Sequence, residues 1–343
     1  MAQKKKAEGV DGYKVIADSL KAGQVGNFYI FHGDERYLLE RSLGALRKFL
    51  CPDGLDSFNY KRFGGGVRVS ELDDAVNTLP AFAERTLVEL HDFDIFKDGN
   101  KQQLTEIIND LPDYICIVLI YDTIPYKPDG RQKLDKDILK NAEVIEFSLS
   151  KQAELVKWII RHFKDAGKTI ARADAEYLAL ITGGYMTTLY GEIGKVAAYA
   201  AYEAVSRSDI DAVVIPELDA VVYKLTDALI QGKHADAMSI LDELLRMREA
   251  PHKLIFNISL KMRQLLAARV CIENNSNRYD LMDMCGIRYD FQARTLMDTA
   301  RGTTLSKCRE AVLHCSDAAF DLNSAPEPEA RLVELIARLA HLK

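Results

Sequence analysis

The stretch NFYIFHGDERYLLERSLGALRK, residues 27–48, predicts a strand, a glycine turn and a long helix. Residues 28–31 are a short apolar run of β-favouring side chains, and Gly33 follows as the turn residue. Asp34 can cap the helix by accepting a hydrogen bond from its first turn. Within the helix, leucines recur at helical spacing, at Leu39, Leu43, Leu46 and Leu50. This order of elements is the framework of a nucleotide-binding unit, because helix-terminal N–H groups attract phosphate.

The residues that would bind a nucleotide in such a framework are missing. A phosphate-binding loop needs a glycine-rich turn, a lysine for the phosphates and a serine or threonine for Mg²⁺. Instead, Asp34, Glu35 and Glu40 crowd the start of the helix, and the first two would repel a phosphate. The sequence therefore predicts a degenerate nucleotide site that binds no nucleotide, formed by Gly33, Asp34, Glu35 and Arg36.

Composition narrows the class of protein. The chain has 343 residues, enough for two or three domains, with 48% hydrophobic and 28% charged residues. Its net charge of −6 argues against a protein that coats nucleic acid by bulk charge. The six cysteines form no CxxC pair and the seven histidines are scattered, so we expect buried free thiols in a reducing cytosol. We expect no metal site, no cofactor and no catalytic group.

The start of the chain and its apolar runs favour a cytoplasmic protein. The first six residues, MAQKKK, are basic, but no apolar segment of a signal peptide follows them. The longest apolar run, residues 115–121, is far shorter than the ~20 residues that span a bilayer.

Two kinds of pattern divide the chain. Strands alternate with helices over residues 10–148, which predicts a parallel α/β sheet in a first domain over residues 1–149. After Leu149 the strand pattern disappears. A helix that Ser150 can cap opens a small helical lid domain over residues 150–213, and a helical collar domain follows over residues 214–343. In the first domain, Ser70 can cap a helix and residues 57–63 read as a strand.

This arrangement resembles the AAA+ proteins of the clamp-loader class, and most closely the delta subunit of bacterial DNA polymerase III. The similarity is carried by residues 28–41 (FYIFHGDERYLLER) and 79–87 (LPAFAERTL), with residues 119–122 as the strand between them. Residues 219–238 (DAVVYKLTDALIQGKHADAM) resemble the start of that family's C-terminal domain. The resemblance spans nearly the whole chain and keeps the order of its elements.

The resemblance implies a subunit of a DNA polymerase holoenzyme that has no catalysis of its own. Such a subunit binds and opens the ring-shaped sliding clamp (the beta subunit) for loading onto primed DNA. Its other partners are the gamma/tau and delta prime subunits, which it meets through the collar helices, here residues 249–269 and 305–322. ATP-using relatives place an arginine after a Gly-Gly-Asp in the lid, and Thr187 stands at that position here.

The same resemblance implies a clamp-binding segment, namely Leu79, Pro80, Ala81, Phe82 and Arg85. Ala81 is smaller than the apolar residue usual in the family, so Phe82 would carry most of the apolar contact and Arg85 would join a polar rim. The residues alone favour a core position for Phe82, since apolar residues in short loops usually face inward. The resemblance reverses that preference and predicts an exposed Phe82.

Two other functions remain open. One is an AAA+-type ATPase with an atypical phosphate loop, although Asp122 is followed by Thr123 where an ATPase would have Glu. The other is a DNA-binding regulator, because residues 281–297 have a helix–glycine–helix pattern. Few residues in that pattern could read base edges, which disfavours the regulator.

Overall fold

The computed structural model describes residues 10–51, 56–97, 101–149, 152–246, 248–287, 290–322 and 327–341. These residues form two compact units that divide at residue 150. Ser150, proposed above as a helix cap, lies outside the described residues.

The first unit is built on one parallel sheet of five strands. The strands are β1 (Phe28–His32), β2 (Tyr60–Phe63), β3 (Thr86–His91), β4 (Ile115–Tyr121) and β5 (Glu143–Glu146). They lie in the order β2-β3-β4-β1-β5, and all of the neighbouring pairs are parallel. The α/β fold class predicted from the sequence is confirmed.

Helices cover both faces of this sheet. They are α1 (Val10–Lys21), α2 (Arg36–Leu50), α3 (Asp56–Asn59), α4 (Val69–Val76), α5 (Lys101–Asn109) and α6 (Lys133–Asn141). All seven residues of β4 are buried, and they alternate between the two faces. Ile117 and the other β4 residues on its face of the sheet pack with Leu104 of α5 and Ile138 of α6. On the other face, Glu89 of β3 binds Arg47 of α2.

Three local predictions in this unit are wrong. Helix α2 has Glu35 at its N-cap position, without a side-chain cap, so Asp34 does not cap it. Helix α4 begins one residue before Ser70, and Arg68 is its N-cap. Residues 56–59 are helical, so the second strand is shorter than its aromatic and polar alternation predicted.

The second unit is mainly helical. Its first helices are α7 (Gln152–Asp165), α8 (Arg172–Ile181), α9 (Met186–Tyr199) and α10 (Arg207–Val213). The later ones are α11 (Leu218–Ile230), α12 (His234–Arg246), α13 (Pro251–Glu273), α14 (Arg278–Cys285), α15 (Asp290–Arg301), α16 (Leu305–Leu322) and α17 (Pro328–Ala340). Contrary to the prediction of helices alone, two short parallel strands pair beside α7, β6 (Thr169–Ile170) and β7 (Ala204–Val205). The division of this unit into lid and collar domains remains a prediction.

The core of the later helices forms around α13. This helix begins with Pro251, whose fixed φ suits a first helical turn. It buries Leu254, Ile258, Met262 and Leu265 in one apolar cluster with residues of its neighbours. None of the described helices is both long enough and apolar enough to cross a bilayer. All six cysteines are free thiols; Cys285 is half-buried and the others are buried.

Candidate functional site

Among the described residues of the first unit, the most exposed large apolar side chains lie on the segment between α4 and β3. We call residues 77–85 the tip loop. Its Phe82 side chain is 88% exposed and its Leu79 side chain is 71% exposed, while Pro80 and Ala81 are half-buried. The predicted exposure of Phe82 is confirmed, and the core alternative for this residue is wrong. A role of these residues in clamp binding remains a prediction.

The backbone of Phe82 adopts a conformation that L-residues avoid. Its φ is +58°, in the left-handed region, where the Cβ atom crowds the backbone. A bulky residue in this region costs of order 1–3 kcal/mol, and such strain concentrates at functional sites. The fold therefore holds an aromatic ring in solvent on a strained backbone, which burial in a core does not explain.

Asn59 holds the tip loop from the side of α3. Its Nδ2 donates to the Ala81 carbonyl oxygen at 2.7 Å, and its Oδ1 accepts from the Ala81 N–H at 2.7 Å. The Asn59 residue is fully buried, and its own carbonyl oxygen accepts from Cys51 Sγ at 3.1 Å. The two peptide groups that flank Ala81, the second of which joins it to Phe82, are thus tied to the body of the unit.

Arg85 secures the other end of the tip loop. Its guanidinium donates to the carbonyl oxygens of Val25 at 2.7 Å, Gly26 at 3.0 Å and Ile115 at 2.8 Å. It also donates to Asn27 Oδ1 at 2.7 Å. The sequence predicted that Arg85 belongs to a polar rim, but these four bonds direct its guanidinium into the unit. We therefore treat Arg85 as a support of the loop.

Two phenylalanines near the tip loop had no signal in the sequence. Phe58 precedes Asn59 directly and is 57% exposed, and Phe49 is 47% exposed beside Leu50. Phe49 and Phe82 line the same open groove, together with Glu84. Apart from Val15, these two residues, Leu79 and Phe82 are the exposed large apolar side chains that the structure describes in this unit. Such a concentration of apolar surface marks an interaction site.

The crevice at the carboxyl end of β1 is the second candidate site. In open α/β sheets a ligand binds outside the carboxyl ends of the strands where the chain order reverses, as it does around β1. Here the Phe147 backbone extends the pairing of β5 with β1 and lies against the start of α2. Its carbonyl oxygen accepts from the Glu35 N–H at 2.8 Å, and its N–H donates to the His32 carbonyl oxygen at 2.7 Å. The Glu35 N–H, at the start of helix α2, therefore already donates a hydrogen bond to Phe147.

Gly33 allows this close approach. Its φ is +122°, and a Cβ atom on it would lie 2.6 Å from the carbonyl carbon of Phe147. Only glycine fits such a contact with backbone atoms. The glycine that was predicted as a turn residue therefore lets the Phe147 backbone lie directly against the turn before α2.

Charged side chains close the neighbouring part of the crevice. Arg36 forms an ion pair with Asp122 and also donates to its carbonyl oxygen. The Asp92 carboxylate accepts from the Asp122 and Thr123 N–H groups, both at 2.7 Å. Partial burial acts to raise the pKa of Asp92, but hydrogen bonds from Thr123 and Ile124 outweigh it and lower this pKa. Asp122 thus pairs with a protein cation in the place where an ATPase would bind Mg²⁺.

Aromatic rings pack on the remaining side of the crevice at the carboxyl end of β1. The His32 and Tyr126 rings stack at 4.1 Å, and the Tyr121 ring meets Tyr126 edge-on at 5.3 Å. Burial, followed by the nearby Glu146 charge, raises the pKa of Tyr126 to about 12. No pattern in the sequence pointed to Asp92, Tyr126 or Phe147 as residues of this crevice.

Thr187 lies in the second unit, exposed in the first turn of α9. The preceding Gly183 and Gly184 have φ values of +68° and +72°. The Glu217 carboxylate lies so close to Gly183 that a side chain there would collide with it. The segment that would carry a phosphate-sensing arginine in an ATPase therefore holds a tight glycine turn followed by a hydroxyl.

Two sequence models of one family match this chain. The model described as DNA polymerase III, delta subunit, matches residues 29–148, which contain the tip loop and the crevice. The model described as DNA polymerase III delta subunit, C-terminal domain, matches residues 219–338. Together the two matches span well over half of the chain.

Individual relatives agree with these matches. DNA polymerase III subunit delta of Bacillus subtilis is 24% identical over 327 residues, which cover 92% of this chain and 93% of the relative. A probable DNA polymerase III subunit delta of Aquifex aeolicus is 23% identical over 280 residues, or 77% and 76% of the two chains. The solved structure of a Bacillus subtilis DNA clamp loader delta protein, 22% identical, covers 96% of this chain and 99% of its own with a TM-score of 0.62. That similarity shows a common fold. With both domain models of one family matched in order, the chain belongs to the DNA polymerase III delta-subunit family.

Proposed function

We propose that this chain is the delta subunit of a clamp loader, and that it binds and opens the sliding clamp without hydrolysing ATP itself. The observation that carries the proposal is Phe82, whose ring is 88% exposed on a strained backbone. The ring is the apolar anchor that enters a pocket of the clamp, and Leu79 and Pro80 flank it. Interfaces of this kind depend on a few buried aromatic anchors surrounded by contacts that exclude water.

Opening a closed ring requires binding energy that is available only in the open state. A ligand shifts a conformational equilibrium only by the difference between its affinities for the two states. A rigid tip loop suits this task, because the Phe82 side chain keeps the same direction whether the clamp is closed or open. The bonds from Asn59 and Arg85 supply that rigidity.

The crevice supports a subunit that does not use ATP. Phosphate binding needs free N–H groups at the start of α2, but the Glu35 N–H is bound to Phe147 and the neighbouring side chain is acidic. Arg36 and Asp122 neutralise each other beside it. The ATP that drives loading is then consumed by partner subunits, in the assembled complex on primed DNA.

Titration of the isolated chain with a fluorescent ATP analogue tests the proposed lack of nucleotide binding. We expect no saturable binding with Mg²⁺ present, because the Glu35 N–H is already bound to Phe147 and Asp122 is paired with Arg36. An ATPase subunit with an intact phosphate loop serves as the positive control. Submicromolar affinity of this chain would instead support the alternative ATPase function.

The second unit offers a surface for the partner subunits, which we propose to be gamma/tau and delta prime. Phe256 of α13 is exposed, as are Leu313 and Phe320 of α16. Both helices were predicted from the sequence as collar surfaces, and large apolar side chains in solvent favour association.

Replacing Phe320 with serine is expected to weaken assembly with the partner subunits and to leave clamp binding unchanged. The reason is that the exposed Phe320 ring would lose its apolar contact with a partner, whereas the tip loop belongs to the first unit. Size-exclusion chromatography of the reconstituted loader measures the first effect. Exposed Glu310 on the same helix, replaced by glutamine, is the control. Normal assembly of the Phe320 variant would exclude this surface.

A further inference from the structure

One buried side chain holds the residue that precedes the exposed ring. Asn59 donates to the carbonyl oxygen of Ala81 and accepts from its N–H, both at 2.7 Å. We infer that Asn59 is a positioning residue, which fixes the direction of Phe82 and thereby sets the affinity for the clamp. The inference rests on the proposed clamp-binding function and names the group that prepares that site.

The pair of bonds requires a side chain that is donor and acceptor at once. A primary amide provides both functions in one plane, and at position 59 it reaches both polar groups of Ala81. An ionised carboxylate only accepts, and an alanine offers neither. Asn59 is fully buried, so its amide depends on partners within the protein, and two of its bonds go to Ala81.

The effect on Phe82 follows from the order of bonds along the chain. The Ala81 carbonyl belongs to the peptide group directly before the N–Cα bond of Phe82. With that peptide group fixed, the φ of +58° determines where the ring points. Without the Asn59 bonds, rotation of this peptide group lets Phe82 return to a negative φ, which L-residues prefer. The ring would then leave the direction in which it meets the clamp.

A double-mutant cycle on clamp affinity tests this coupling. We expect Asn59→Ala to weaken clamp binding about tenfold when Phe82 is present, because a ring that is no longer held in place has to be ordered during binding. In a Phe82→Ala background the same substitution should cost less than about twofold, since neighbours in contact are not additive. An equal loss in both backgrounds would overturn the inference.

A pH profile of Asn59→Asp separates positioning from simple destabilisation. The ionised carboxylate lacks a donor for the Ala81 carbonyl, whereas a protonated carboxyl group has one donor and one acceptor. Burial raises the pKa of such a group. The affinity of this variant, relative to wild type at each pH, should therefore be about tenfold lower near pH 8 and recover towards pH 5. A ratio that does not change with pH would contradict the inference.

Amide hydrogen exchange tests the same inference without the clamp. The Ala81 N–H should be protected in the wild-type chain and should exchange faster in Asn59→Ala, because it loses its acceptor. Leu104→Ala is the control: Leu104 is buried among α4–α6 residues, so this variant is destabilised away from Asn59. Its Ala81 protection and its clamp affinity should match wild type. An unprotected Ala81 amide in wild type would refute positioning, whereas protection without any clamp binding would refute the proposed function instead.

Discussion

The Phe82→Ala variant is expected to bind the sliding clamp roughly 10- to 100-fold more weakly than the wild-type chain. Burying one phenylalanine contributes about 1.5–3 kcal/mol, and each 1.4 kcal/mol is about tenfold in affinity. Because the ring is 88% exposed in the free chain, the fold itself gains little from it. The free energy of unfolding of the variant should therefore stay within about 0.5 kcal/mol of the wild-type value. Surface plasmon resonance with immobilised clamp and thermal unfolding measure the two quantities.

Phe82→Gly is the matched variant for the strained backbone. Glycine accepts a φ of +58° without the crowding that Phe82 endures, so this variant should be as stable as wild type, or more stable by up to about 1 kcal/mol. It should still lose clamp binding, because the ring is gone. A parallel loss of binding and thermal stability in Phe82→Ala would instead show that the ring supports the core.

The Glu89→Gln variant is expected to destabilise the first unit by about 3 kcal/mol. Glu89 is 1% exposed, and its carboxylate accepts from Arg47 at 3.0 Å and from the Tyr60 hydroxyl at 2.8 Å. The glutamine side chain keeps the size but removes the negative charge that pairs with Arg47, and breaking a buried pair typically costs about 3–5 kcal/mol. We take the lower end because Arg47 is itself partly exposed. Amide exchange in β3 and β4 measures the loss, and exchange in α13 provides the internal reference.

The difference in the free energy of unfolding between wild type and Glu89→Gln depends on pH with a defined sign. Burial acts to raise the pKa of Glu89, but hydrogen bonds from His91, Tyr60 and Arg47 outweigh it and lower this pKa. A lowered pKa in the folded state means that the contribution is present above the unfolded value of about 4.3 and is lost as the pH falls through the folded value. The difference in stability between wild type and Glu89→Gln should therefore become smaller under acid conditions. A gap that widens in acid would contradict the assigned charge of Glu89.

The sequence predicted those features that depend on local patterns. The apolar run of β4, the leucines of α2 and the glycine at position 33 each determine a neighbouring backbone conformation, and the structure places them as predicted. The predicted caps at Asp34 and Ser70 were wrong, since a capping residue type permits a cap without requiring one. The short strands β6 and β7 have two residues each, too few for a periodic signal.

The residues that arrange both sites are distant in sequence and could not be predicted in this way. Asn59 lies 22 residues from Ala81, and Asp92 lies 30 residues from Asp122. No local pattern specifies such partners. For Phe82 the residue type alone favoured burial, and only the resemblance to a family predicted the exposure that the structure shows.

We propose that Phe82 binds the clamp without help from a nucleotide. Sedimentation velocity of the wild-type chain mixed with the sliding clamp, in the absence of ATP, tests it most directly. We predict a complex that forms without nucleotide, that added ATP does not strengthen, and that Phe82→Ala abolishes at the same concentrations. A complex that requires ATP, or one that Phe82→Ala leaves intact, would contradict this account.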